Sequence, residues 1–192
     1  MSVTLTTIET LTRYLLDETA KTQVPGDIFT YGASSIFTLT ETNAISVSDV
    51  LVNDESSGVA YTYNSSTNKA TITSSLTSGD TIEIQYSYYP NYSSNEIQNY
   101  VRASIVHLSV NGYYTFEIGS DSVVYPEPDE NEKNLIALIT AILIEPNNKT
   151  YRLPDITVQV PNPLSKDDMI RKAISVFKLG SFGASGGVWV LA

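Results

Sequence analysis

The sequence predicts an α+β protein, a small helical bundle with an inserted all-β domain of sandwich or barrel type and an extended C-terminal arm. Three observations carry this expectation. Apolar residues recur at three- and four-residue steps at the start, at every second residue within Ser35 to Tyr89, and at helical spacing again after Pro90. The segment Leu135 to Leu143 is apolar nearly all round, the mark of a helix buried on every side. Beyond Gly180 the chain turns glycine-rich and then strongly apolar, through Val188-Trp189-Val190-Leu191.

The first helix is expected from about Thr7 to Lys21. Thr6 and Glu9 have capping-box spacing, Leu5, Ile8, Leu11, Leu15 and Leu16 form one stripe, and Pro25-Gly26 supplies the stop. Five short strands follow. They are Phe37-Thr38-Leu39, Val50-Leu51-Val52, the alternation of Val59, Tyr61 and Tyr63, Ala70 to Thr73, and Ile82 to Tyr88. In the last, Ile82, Ile84, Tyr86 and Tyr88 alternate with Glu83, Gln85 and Ser87, a half-buried strand. Asn64 to Asn68 reads as a hairpin turn and Ser78-Gly79-Asp80 as another turn.

A second helix follows, with a capping box at Ser93 and Glu96 and with Ile97, Val101, Ile105 and Leu108 on one face. Asn111-Gly112 weakens it, so both an end there and a continuation to Ile118 fit the pattern. Pro126-Glu127-Pro128 leads into a third helix, with Asp129 as N-cap, Glu132 three residues on, and Pro146 as the stop. Tyr151 to Val160 looks extended. The last helix starts at Ser165, turns Met169, Ile170, Ala173, Ile174 and Phe177 inward, and ends near Lys178-Leu179-Gly180. Residues 1–33 and 92–179 are therefore assigned to the helical core, 34–91 to the β-domain and 180–192 to the arm.

Composition narrows the function. The hydrophobic fraction of 42% suffices for a core, while the charged fraction of 17% falls below the roughly 25% of a typical soluble domain. Ser, Thr, Asn and 13 Tyr fill the gap, a composition suited to β-structure and contact surfaces. Net charge is −10, and residues 1–91 hold three basic and ten acidic side chains. Tight nucleic-acid binding needs a basic stripe that neutralises phosphates, and the sequence has none; an acidic wall around a DNA channel fits, because repulsion prevents sticking. The absence of cysteine removes disulfides and thiolate metal sites and agrees with assembly in a reducing cytoplasm. Met1-Ser2-Val3-Thr4 lacks the features of a signal peptide. The longest apolar run, Leu135 to Ile144, is half the length of a membrane span, so a soluble chain is expected.

No catalytic, cofactor or metal site is expected. His107 is the only histidine and reads as a helix residue beside the packed face. A zinc site would lean on carboxylates, there is no Gly-x-Ser-x-Gly elbow, and Gly180 to Gly187 lacks the lysine and following helix of a P-loop. Glu127, Asp129, Glu130 and Glu132 do not have EF-hand spacing; carboxylates ahead of an apolar helix stabilise its dipole, as do Asp167-Asp168 at the last helix.

Two resemblances point to a role. The run Val50-Leu51-Val52-Asn53, Tyr61-Thr62-Tyr63, Ala70-Thr71-Ile72-Thr73 and Ser78-Gly79-Asp80-Thr81-Ile82-Glu83-Ile84-Gln85-Tyr86 resembles a β-module common in phage virion proteins. The initial amphipathic helix, the helix around Tyr100-Val101-Arg102-Ala103, and Pro126-Glu127-Pro128 leading into Leu135-Ile136-Ala137-Leu138-Ile139 resemble the head–tail connector (adaptor or neck) family of tailed bacteriophages. This resemblance covers most of the chain in the order and type of its elements. It implies a non-catalytic virion protein at the neck, forming a homo-oligomeric ring beneath the portal, touching the portal and the next neck or tail protein, and extending the DNA channel. It also implies a C-terminal arm that docks on a partner, here carried by Phe182, Val188, Trp189, Val190 and Leu191. The long β-insert and the apolar tip depart from the family pattern. The alternative is a receptor- or glycan-binding β-module protein of a virion or cell surface, using tyrosines of the β-domain; an uncatalogued hydrolase is a third reading.

Overall fold

The structure, a computed structural model, describes residues 2–55, 58–113, 115–146, 150–152, 156–159, 165–178 and 187–190. The chain is of mixed α+β class and divides into two compact units, Met1–Glu18 with Ser94–Ala192, and Thr19–Ser93.

The first unit is helical. It contains α1 (Leu5–Leu15), α2 (Ser94–Val110), α3 (Glu130–Ile144) and α4 (Lys166–Lys178). Helix α1 is capped by Thr4, whose hydroxyl accepts from the Thr7 amide while Thr7 reaches back to the Thr4 amide. The expected box at Thr6 and Glu9 is not used, because the Glu9 carboxylate is taken up by Arg13 one turn on. The helix also stops at Leu15 rather than Lys21. Leu16 closes the last turn, and Asp17 adopts a left-handed φ of 54°, which continues no right-handed helix.

Helix α3 is the centre of this unit and packs against each of the other three helices. Leu135 to Ile142 are all buried, and the Thr140 hydroxyl is satisfied by donating to the Ile136 carbonyl at 2.7 Å. Its start is the expected box, with the Asp129 carboxylate accepting from the Glu132 amide at 2.8 Å and Glu132 returning to the Asp129 amide at 2.9 Å. Helix α2 ends at Val110, where Gly112 takes a φ of 63°, so the continuation to Ile118 does not occur. Ile97, Val101, Ile105 and Leu108 face inward as expected. Two antiparallel strand pairs also belong to this unit. One pairs β7 (Glu117–Ile118) with β8 (Val124–Tyr125); the other pairs β9 (Thr150–Arg152) with β10 (Ile156–Gln159).

Among its described residues, the second unit is a six-stranded sandwich: β1 (Lys21–Thr30), β2 (Ile36–Thr38), β3 (Ala44–Val52), β4 (Tyr61–Asn64), β5 (Lys69–Ile72) and β6 (Thr81–Tyr88). One sheet has the order β1-β6-β3 and the other β2-β5-β4. Both contribute to one core that includes Phe37, Val50, Ala70, Ile72, Ile82, Ile84 and Tyr86. Hydrogen bonds stitch the sheets together. Tyr63 donates to the Ala44 carbonyl at 2.9 Å, Tyr61 to the Val47 carbonyl at 3.3 Å, and Asn68 to the Leu39 and Glu41 carbonyls, each at 2.9 Å.

Strand β1 corrects the expected boundary. Residues 19–33 were assigned to the helical core, yet Lys21–Thr30 pair along β6. Pro25-Gly26 does not end a helix. It forms an irregularity between Gln23 and Asp27 in an edge strand, where a proline removes no bond from the ladder. The Gly26 backbone lies so close to β6 that an added Cβ would sit 2.1 Å from the Ile84 carbonyl oxygen.

Candidate functional site

The arm residues named from the sequence fall in two groups. Phe182 and Leu191 lie outside the described residues. Val188, Trp189 and Val190 lie in β11 (Gly187–Val190), which pairs in parallel with β10: Gly187 opposite Ile156, Val188 opposite Thr157, Trp189 opposite Val158 and Val190 opposite Gln159. The sheet order is β11-β10-β9. Within its own chain, this strand lies along the edge of β10. Beneath, Val158 and Tyr151 are buried, and the Tyr151 hydroxyl donates to the Glu145 carbonyl at 2.6 Å. Burial, reinforced by Glu145, pushes the Tyr151 hydroxyl well above the usual phenol range. Among the described residues, β11 is thus an edge strand of this sheet.

The carboxylates ahead of α3 are occupied locally. Asp129 and Glu132 build the cap, and Glu130 pairs with Lys133 at 2.5 Å. At α4, the Ser165 hydroxyl donates to Asp168 at 2.6 Å and accepts from the Asp168 amide at 3.2 Å. Among the described residues, no group of three or more His, Cys, Asp or Glu side chains could hold a metal ion. His107 lines a shallow cleft of about 180 Å³ with Val110, Asn111, Asp167, Ile170 and Arg171.

Three tyrosines of the sandwich hydrogen-bond within it. Besides the bonds of Tyr61 and Tyr63, the buried Tyr86 donates to Asp27 Oδ2 at 3.1 Å and accepts from the Glu41 amide at 3.2 Å. Burial first, and then the neighbouring carboxylates against the Glu41 amide, leave the Tyr86 hydroxyl pushed up to about 12.

Two features were not anticipated from the sequence. The first is a buried ionic cluster. Arg13 Nη2 and Nε meet Glu9 Oε1 at 2.8 and 3.1 Å, Nη1 meets Glu18 Oε2 at 2.8 Å, and Nη2 approaches Ser94 Oγ at 3.5 Å. Gln98 donates to the second Glu9 oxygen at 2.9 Å. Glu18 is the last residue of the helical unit before the insert and Ser94 the first after it, so one guanidinium holds both crossings. The Glu9/Arg13 spacing of four was the available signal. The second is an apolar set on the outer face of α2, where Tyr100, Val106 and Val110 are exposed. Their helical spacing was legible, but they share a helix with the stripe that faces the core.

No protein-family model matches this chain, and no curated protein matches it at a significant level.

Proposed function

We propose that this chain is a head–tail connector subunit of a tailed bacteriophage, a structural virion protein that joins a ring below the portal, extends the DNA channel and links head to tail. One observation carries most weight. A helical unit built around α3, buried from Leu135 to Ile142, is continued by a C-terminal strand that lies at the edge of its sheet among the described residues, a geometry to which a further strand can add. The interrupting β-sandwich occupies the stretch whose sequence resembles a virion-type module, which supports the reading. The acidic balance of −10 suits a channel wall that DNA passes without adhering. The role is non-catalytic, and subunits assemble in the host cytoplasm before taking their place in the neck.

The test is assembly. Negative-stain images of the protein mixed with portal should show rings stacked on the portal. Deleting residues 181–192 should leave the helical signal intact while abolishing incorporation into rings or particles. A truncated protein that assembles as well as the full chain would remove the arm from the mechanism. Compact monomers that bind polysaccharide and ignore the portal would replace the connector reading by the glycan-binding one.

A further inference from the structure

Of all the asparagines in the chain, Asn111 alone is followed by glycine. The pair sits just past the end of α2, with Asn111 half-buried and Gly112 exposed at a φ of 63°. Gly112 lacks the side chain that would otherwise screen its amide from the residue before it, and no group lies within 4 Å of where a Cβ would stand. Two bonds close the turn. The Gly112 amide donates to the Ser109 carbonyl at 3.0 Å, and Asn111 Nδ2 donates to the His107 carbonyl at 2.8 Å. Bonds at a helix end open by local fraying, well below the free energy of unfolding the unit. Other asparagines are held differently. Asn64, exposed and followed by Ser65, turns its carboxamide oxygen to the Ser66 and Thr67 amides, and Asn68 donates to the Leu39 and Glu41 carbonyls.

We infer that Asn111 is a site of spontaneous deamidation, and that its product opens the turn on which α2 ends. When the turn frays, the Gly112 amide nitrogen gives its proton to a solvent base and attacks the Asn111 side-chain carbonyl carbon. The N–Cγ bond forms, the Cγ–Nδ2 bond breaks, and ammonia leaves with a proton from water. A water molecule then opens the succinimide ring at either carbonyl, giving aspartate or isoaspartate. Nothing is oxidised or reduced. Each product undoes one bond of the turn. A carboxylate only accepts, so in the aspartate form the attraction to the His107 carbonyl becomes a repulsion. Isoaspartate adds a methylene to the main chain, which takes the Gly112 amide out of register with the Ser109 carbonyl. The new charge also stands at a helix C-terminus, where the dipole disfavours an anion. It enters the cleft that Asp167 lines, and Arg171 of the same cleft can take up part of it.

The experiment ages the full-length chain in mildly alkaline buffer and maps, by peptide mass spectrometry, where an amide nitrogen has been replaced by oxygen. An isoaspartyl methyltransferase assay counts the second product. Asn111 should convert before any other asparagine and give both products, and Asn111→Gln should remove this early conversion, because the ring it would close is larger. Conversion that begins at another asparagine overturns the site. So does a folded chain in which Asn111 stays intact for as long as the urea-unfolded chain takes to convert there completely. The effect on the turn is read by amide hydrogen exchange over residues 107–112. Asn111→Asp should exchange roughly threefold to tenfold faster there than Asn111→Ala, which removes the donor without adding a charge. Equal rates in the two variants overturn the effect on the turn. If Asn111→Asp does not fold, the aged wild-type chain is compared with the fresh one in the same measurement, and exchange no faster after ageing overturns it.

Discussion

Replacing Arg13 by Met should destabilise the helical unit by about 3–5 kcal/mol, because it takes the cation away from two buried carboxylates. Side-chain exposures are 5% for Arg13, 7% for Glu9 and 1% for Glu18. An exposed Glu/Arg pair four residues apart on a helix is worth only about 0.3–0.5 kcal/mol, so the magnitude separates the two pictures. Met keeps most of the apolar stem and isolates the loss of the guanidinium. Against a total stability of about 5–15 kcal/mol the effect is large.

The assay is urea unfolding followed by the helical circular dichroism signal, with wild type and variant at two ionic strengths. A buried cluster is screened little, so the difference should persist in high salt. Ser94→Ala, which removes only a 3.5 Å contact, should cost about 0.5 kcal/mol or less. Replacing all three charges together by apolar residues should recover much of the loss, since a buried ion group often does no better than packed hydrocarbon. A loss below about 1 kcal/mol in Arg13→Met, or one that vanishes in salt, would refute the buried buckle.

Leu138→Ala should cost about 2–5 kcal/mol in the same assay, since Leu138 is fully buried at the centre of α3. Gly26→Ala should destabilise the sandwich by more than about 1 kcal/mol, because its Cβ would meet the Ile84 backbone and not a flexible side chain; a neutral result by thermal melting would mean that β1 can move off β6. The raised Tyr86 hydroxyl predicts alkaline unfolding. Its stabilising neutral form is fully present below the ordinary phenol value near 10 and is lost as pH rises through about 12, so the sandwich should weaken across that window. Tyr86→Phe should flatten that pH dependence, at a cost of about 1 kcal/mol at neutral pH, when melting is followed from pH 9 to 12.

The large features were readable because they rest on period. A change from helical spacing to alternation locates the sandwich, and the alternation from Ile82 to Tyr86 is realised as alternate burial along β6. An apolar run with no polar face can be stable in water only at the centre of a bundle, which is where α3 lies. What period cannot report is pairing. Strand β1 has no clean alternation, because it is an edge strand broken at Pro25-Gly26, and a proline-glycine pair reads the same whether it ends a helix or bends an edge. The cap of α1 fails for a related reason. Thr6 and Glu9 have the right spacing, but spacing does not say that Glu9 is engaged by Arg13.

The same limit bears on the arm and on the outer face of α2, and explains why one was legible and the other was not. The strand at the end of the arm was legible, since Val188-Trp189-Val190 is strongly strand-forming, and the structure seats it along β10 of its own chain. The outer stripe of α2 is hidden in the sequence by the inner one. A helix apolar on two faces reads as weakly amphipathic, and only once Ile97, Val101, Ile105 and Leu108 are seen to be consumed by the core does the remainder stand out. An edge strand holds a partner through directed backbone bonds, and an apolar stripe through surface removed from water. On the connector reading proposed above, removing the arm should therefore fail at the step where the protein meets the portal, and should leave the helical signal unchanged.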